Sequence, residues 1–263
     1  MLLLLGACQC LERPLSGGLI EAPTGRSWSI DAVIHVAFYD DFSNFVANCE
    51  KDGRAIRAMG SALIGSSRPL LITSGTGFGS AVAGQPATED VFNNAHPNPR
   101  AASELAGAEM LAACIAVSVM RLPQVHDRFK QGLVTPLIKV ARARGVSAYI
   151  GEGLNRFPAA HVLDVTRLYR LAIEKCHPGA RHQAVDEQGV STPDIAEAIG
   201  LGLGMPVKSI SASEAADHFG WLGGFVGLDM PSSSEWTRKV LDWQPSGPSL
   251  LDDLKRMDYP AVG

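Results

Sequence analysis

A chain of 263 residues with 46% apolar content is long enough to bury one large core, or a core and a half. A formal net charge of -4 with no dense Lys/Arg run excludes nucleic acid as the principal partner. No stretch reaches the ~20 apolar residues of a membrane-spanning helix, so no membrane partner is expected.

The opening, residues 1–30, is expected to be irregular. It begins MLLLLGAC, which looks like a lipoprotein processing box around Cys8 but lacks a basic flank and the ~7–15 apolar residues of a normal signal core. The following LERPLSGGLIEAPTGRSWSI is broken by Pro and Gly and keeps neither a strand nor a helix period. From Asp31 the texture changes. DAVIHVAF (31–38) is a continuous apolar run of the kind found in strands buried on both faces. Residues 42–65 follow as a helix whose apolar side carries Phe45, Cys49, Ile56, Met59, Leu63 and Ile64. PLLITSG (69–75) is the next strand, residues 100–116 the next helix, and VSVMRL (117–122) a third strand ended by Pro123. Apolar strands alternating with helices predict an α/β fold with a doubly wound parallel sheet, the three strands being neighbours.

Farther along, KVARAR (139–144) has Val and Ala at helical spacing and reads as the solvated face of a helix. Ser191-Thr-Pro-Asp194 has the form of a helix cap, and Gly204 with Pro206 ends that helix; Ser211–Glu214 and Ser232–Glu235 are expected to open two more helices in the same way. The five cysteines (8, 10, 49, 114, 176) are scattered and odd in number, with 49, 114 and 176 on apolar-periodic helices. Reduced thiols and a cytoplasmic location fit that usage. Cys8-Gln-Cys10 has no second Cys/His pair near it, so no metal site is expected.

The order of these segments resembles the extended and atypical short-chain dehydrogenase/reductases, the NAD-dependent epimerase/dehydratase superfamily. IHVAF is similar to the strand and loop that pass beneath the cofactor's adenosine and pyrophosphate, RLPQVH (121–126) to the turn bordering the nicotinamide, and residues 158–175 to the strand-then-Asp entry into a helix. The tail, residues 241–254, resembles the closing Trp-x-Pro turn and last helix. The resemblance implies a Rossmann-like core over residues 31–150, N-terminally incomplete, and a smaller substrate-binding lobe over 151–263 with some segments returning to the core. It implies an NAD(P)-dependent oxidoreductase or epimerase acting on a small carbonyl or alcohol, with a non-catalytic NAD(P)-binding or regulatory protein as the alternative. Contacts to NAD or NADP are implied for Ala37, Phe38, Thr73, Ser74, Arg121, Leu122 and Pro123, and loops around His161, Trp221 and Phe225 would face substrate. A homodimer is left open.

Two departures from the family pattern bear on activity. The family's helix opens Tyr-x-x-x-Lys, in which the Lys favours the phenolate one turn away; here Arg100 and Glu104 hold those positions. Arg cannot exchange a proton. The pair reads either as an exposed i,i+4 ion pair or, with Ser74, as catalytic groups in which Ser74 polarises the substrate oxygen. The double substitution Arg100→Tyr with Glu104→Lys is expected to rebuild the family's acid–base couple. The second departure is the missing phosphate cradle, Thr-Gly-x-x-Gly-x-x-Gly. The runs Gly75–Gly79 and Gly200–Gly204 read as a post-strand loop and a helix end. The resemblance implies that the strand at Asp31 is the fourth of its sheet, with the first three not found before it, and without the cradle NAD(P) binding is expected to be weak.

Overall fold

The computed structural model describes residues 2–5, 30–39 and 42–259. In chain order the main elements are β1 (Leu2–Leu5), β2 (Ala32–His35), α1 (Phe45–Ser61), β3 (Leu70–Gly75), α2 (Ala101–Ala112), β4 (Val117–Leu122), β5 (Gln124–His126) and α3 (Val134–Arg144). Then follow β6 (Ser147–Ile150), β7 (Arg156–His161), α4 (Val162–Lys175), β8 (Arg181–Gln183), β9 (Glu187–Ser191), α5 (Thr192–Leu203) and β10 (Val207–Ile210). The short helices α6 (Ala215–Phe219), α7 (Gly223–Val226), α8 (Glu235–Leu241) and α9 (Leu250–Arg256) complete the set.

Two compact units share the chain. The first comprises Met1–Gly75, Asn94–Arg121 and Arg170–His182; the second comprises Thr76–Asn93, Leu122–Tyr169 and Gln183–Gly263. The chain therefore crosses between units five times, and residues 122–150 belong to the second unit.

In the first unit a parallel sheet runs β1-β2-β3-β4-β8. The three strands expected from apolar runs are neighbours, with β2 and β3 parallel in the register Val33↔Leu70, Ile34↔Leu71 and His35↔Ile72. Helices α1 and α2 pack on one another and on β3. Val33, Ile56, Leu70, Ile72, Ala106, Val117 and Val119 form the core between them.

Three expectations are corrected. The opening does supply a strand, since Leu2–Leu5 pairs with Ala32–His35 in parallel. Four leucines are too few to display a period, which is why the run is silent in the sequence. The rest of the opening, including Cys8 and Cys10, lies outside the described residues. Strand β2 stops at His35, where its ladder to β3 stops, and 36–39 leave it as a loop. Helix α2 ends at Ala112, so that Cys114 lies in a left-handed turn with φ 64°, and Cys176 likewise follows α4 at φ 43°.

The second unit holds a three-stranded sheet β5-β7-β9, with β5–β7 parallel and β7–β9 antiparallel, and a parallel pair β6–β10. Its main core joins Val134, Ile138, Phe157, Val190, Ile195, Ile199, Leu250 and Leu254. The cap at Ser191 is present, its hydroxyl accepting from the Asp194 amide, and Gly204 ends α5 at φ 65°. Ser211 and Glu214 bond reciprocally ahead of α6. The segment before α8 does not cap in this way: the Ser234 hydroxyl instead donates to the buried carbonyl of Val185.

Candidate active site in the first unit

Helix α1 carries Cys49, Asp52, Gly53, Ile56 and Gly60 on its buried stripe, so a carboxylate sits where helical periodicity demands an apolar group. Such a group is stable only when paired. Asp52 has three partners. His35 Nε2 lies 2.7 Å from its Oδ1, Arg100 Nη1 donates to Oδ2 at 2.8 Å, and Ser103 Oγ donates to Oδ2 at 2.6 Å. Burial pushes this carboxyl up, but the His35, Arg100 and Ser103 interactions together outweigh it and hold the group below its ordinary value. Asp52 is an ionised anchor that joins the end of β2 to α1 and to the start of α2.

Arg100 precedes the first turn of α2. Its second nitrogen donates to the Thr73 carbonyl at 3.2 Å, and its guanidinium lies over the Phe38 ring, 3.7 Å from the centroid. The Thr73 hydroxyl donates to the His35 carbonyl at 2.7 Å. One hydrogen-bonded girdle thus fixes the carboxyl ends of β2 and β3, the edge of an open α/β sheet where ligands bind.

Glu104 does not pair with Arg100. It is buried and receives two bonds from Arg121, at 2.8 and 2.9 Å, and one from Arg181 at 3.1 Å. Arg121 is itself wholly buried. The exposed i,i+4 pair expected from the sequence is absent because each charge has a better partner elsewhere in the same unit. Glu104 and Arg121 therefore form an internal ion pair between α2 and β4, not groups open to a ligand. Leu122, the last residue of β4, and Pro123, between β4 and β5, open the second unit and are half-buried.

Ser74 differs. Its residue is 4% exposed, and its hydroxyl has no hydrogen-bond partner among the described residues. His35 Nδ1 is buried and unpartnered in the same sense. A buried polar atom left open costs ~1–3 kcal/mol, so two at one sheet edge require an explanation. His35 lines, with Phe38, Tyr39, Asn48, Lys51 and Asp52, a cavity of about 30 Å³, with Lys51 Nζ 3.9 Å from the Tyr39 ring centroid. Cys49 is no nucleophile: burial first, and Asp52 after it, push its thiol up to about 11 against the opposing pull of Arg100.

The structure brings together Phe38, Thr73 and Arg100 among the residues expected from sequence, and places Ala37 on the same cavity. It adds His35, Asp52 and Ser103. The sequence signal for Asp52 is a charge on an apolar stripe, and for His35 a polar residue ending a buried strand.

The glycine runs are structural. Residues 76–79 form a 3-10 turn with Phe78 and Gly79 buried. A side chain at Gly200 would meet Val207 Cγ2 at 2.5 Å and the Met205 carbonyl at 3.1 Å. Neither run forms a pyrophosphate cradle, and the segment between β1 and β2 lies outside the described residues. Within the second unit, the His126 ring bonds Asp253 at 2.7 Å through Nδ1, and His161 Nε2 lies 3.8 Å from the same carboxylate. Trp221 is exposed against the edge of Phe225. Among the described residues no cluster of three or more His, Cys, Asp or Glu is arranged to hold a metal, and no helix is long and apolar enough to cross a membrane.

No family model matches the chain. It is 41% identical over 230 residues to uncharacterized protein C2A9.02 of Schizosaccharomyces pombe, covering 87% of this chain and 78% of that protein. It is 40% identical over 228 residues to uncharacterized protein YLL056C of Saccharomyces cerevisiae, covering 86% and 76%. Among solved structures, human epimerase family protein SDR39U1 with NADPH superposes with a TM-score of 0.67 at 16% identity, covering 88% of this chain and 82% of the other. The dTDP-glucose 4,6-dehydratase DesIV of Streptomyces venezuelae with NAD gives 0.66 at 16% identity, covering 87% and 72%. At these identities the structures establish the fold.

Proposed function

This chain belongs to one family with the two yeast proteins and has the fold of the extended and atypical short-chain dehydrogenase/reductases, and from that premise we propose that it is an NAD(P)-dependent oxidoreductase or epimerase acting on a small carbonyl or alcohol. The observation that carries the reading is the buried, unpartnered Ser74 hydroxyl at the carboxyl end of β3. A substrate carbonyl or hydroxyl oxygen is the partner such a group fits, because it accepts the hydrogen bond that the fold withholds.

A nicotinamide cofactor would supply two-electron exchange with the substrate carbon. The end of β3, with the open Ser74 hydroxyl, would face its reacting end, and the Ala37–Phe38 loop would pass beneath its adenosine and pyrophosphate. Arg100 keeps its charge, held by Asp52, and stabilises negative charge developing on the substrate oxygen without exchanging its own proton. Arg121 is not part of this chemistry, since Glu104 holds its guanidinium.

The second reading, an NAD(P)-binding protein without turnover, is favoured by one observation: Arg100 and Glu104, aligned by resemblance with the family's acid–base pair, are both consumed in ion pairs. Incubating the protein with NADPH and a panel of small aldehydes and ketones separates the two. Turnover that depends on Ser74 supports the first, and NADPH binding without turnover selects the second.

A further inference from the structure

We infer that His35, held by Asp52, exchanges the proton on the oxygen that Ser74 binds, so that a Ser74–His35–Asp52 relay stands in place of a tyrosine–lysine pair. The inference rests on the reading of Ser74 given above and extends it to the missing acid–base group.

The sheet register supplies the geometry. His35 pairs with Ile72, and side chains alternate faces along a strand, so His35, Ile72 and Ser74 share one face. That face is the one covered by α1 and α2, since His35 bonds Asp52 of α1, and Ile72 Cδ1 lies where a side chain at Gly107 of α2 would stand. A lateral strand spacing of ~4.8 Å and two residues of rise at ~3.3 Å put the His35 and Ser74 Cα atoms about 8 Å apart. That span has room for one oxygen between two side chains on the same face. Each carries a buried polar atom without a partner among the described residues, the hydroxyl of Ser74 and Nδ1 of His35.

Asp52 gives His35 its direction. Because Arg100 and Ser103 keep the carboxylate ionised, Nε2 of His35 is its donor, and in the neutral form of the ring Nδ1 carries the open lone pair. The other candidates nearby are unsuited. Arg100 does not release a proton, Glu104 is spent on Arg121 and Arg181, and the Cys49 thiol is raised. In the oxidation direction the O–H bond of the substrate breaks and its proton passes to Nδ1. The bonding pair stays on oxygen and closes the C=O bond as the carbinol carbon gives up a hydride to oxidised NAD(P). Asp52, a positioning residue, stabilises the imidazolium so formed. The charged or titratable groups facing His35 are Asp52 on α1, with Arg100 of α2 behind it, and Lys51 and Tyr39 on the cavity wall.

The test uses the ¹⁵N-labelled full chain without ligand. Long-range ¹H–¹⁵N spectra of the imidazoles are recorded across pH 5–9 for the wild type, Ser74→Ala and Asp52→Asn, alongside NADPH binding followed by its fluorescence. Neutral His35 is expected to carry its proton on Nε2. Ser74→Ala is expected to shift the Nδ1 resonance while leaving His126 unmoved, and Asp52→Asn to redistribute the proton between the two nitrogens. Ser74→Ala is small enough to decide the matter if Asp52→Asn does not fold. A proton on Nδ1 in the wild type, or an Nδ1 resonance unmoved by Ser74→Ala in a protein that binds NADPH, overturns the relay alone. A shifted resonance in a protein that does not bind NADPH upholds the Ser74–His35 coupling and removes the cofactor-linked reading.

Discussion

Glu104 illustrates how residue type and residue role part company. In sequence it stands one helical turn after Arg100 and invites a surface pairing, yet its carboxylate sits between Arg121 and Arg181 in the interior. Breaking a buried pair by neutralising one partner leaves the other charge uncompensated. Glu104→Gln should therefore lower the unfolding free energy by ~3–5 kcal/mol, measured by urea denaturation, and a loss below ~1 kcal/mol would contradict the buried pairing. The same contact overturns the expectation that Arg100→Tyr with Glu104→Lys rebuilds an acid–base couple. A lysine introduced by Glu104→Lys would bring a third cation against Arg121 and Arg181, while Arg100→Tyr would strip Asp52 of its cation. Neither outcome is legible in the sequence, because ion pairs across 17 and 48 residues have no local signature.

At the scale of elements, the parts set by local chemistry are legible and the parts set by pairing are not. Helix α5 begins where Ser191-Thr-Pro-Asp194 says it should, because the hydroxyl satisfies an amide that the helix leaves open. Ser191→Ala should cost about 1 kcal/mol in thermal or urea denaturation, and an unchanged midpoint would show that the cap is not contributing. The strands β3 and β4 are also found where their apolar runs place them. Strand β1 escapes a reading of periodicity because its existence depends on the ladder to β2. Strand β2 is shorter than its apolar run because its carboxyl end is fixed by where β3 stops pairing. The site is half legible: Ser74 and Arg100 are visible through family resemblance, whereas His35 and Asp52 require the helix stripe and the strand end to be seen in contact.

Over the whole molecule, buried histidines make stability depend on pH. Burial, with the neighbouring His177, pushes His182 down to about 4, and burial likewise lowers His126 against the opposing effect of Asp253. The lowered value makes each ring harder to protonate in the fold than in the unfolded chain, which takes up protons near the ordinary value of ~6.5. Stability is therefore fully present above that value and falls as pH drops from ~6.5 toward ~4, by about 3 kcal/mol for His182. Glu187, raised by burial, works in the opposite sense, and the lowered Asp52 acts only below ~4, so neither reproduces this window. His182→Gln should shrink the difference in melting temperature between pH 7 and pH 5, whatever it does to stability at either pH. A difference equal to that of the wild type would refute the assignment.

In the proposed reaction Ser74 is the group that binds the reacting oxygen. The direct measurement is deuterium transfer from NADPH labelled at C4 to a panel of small aldehydes and ketones, comparing the wild type with Ser74→Ala. Deuterium is expected on the carbinol carbon of the product, with a rate lower by about 10²-fold in the variant, the scale of removing one oxyanion donor. Absence of labelled product throughout the panel, or equal rates in the two proteins, would contradict it.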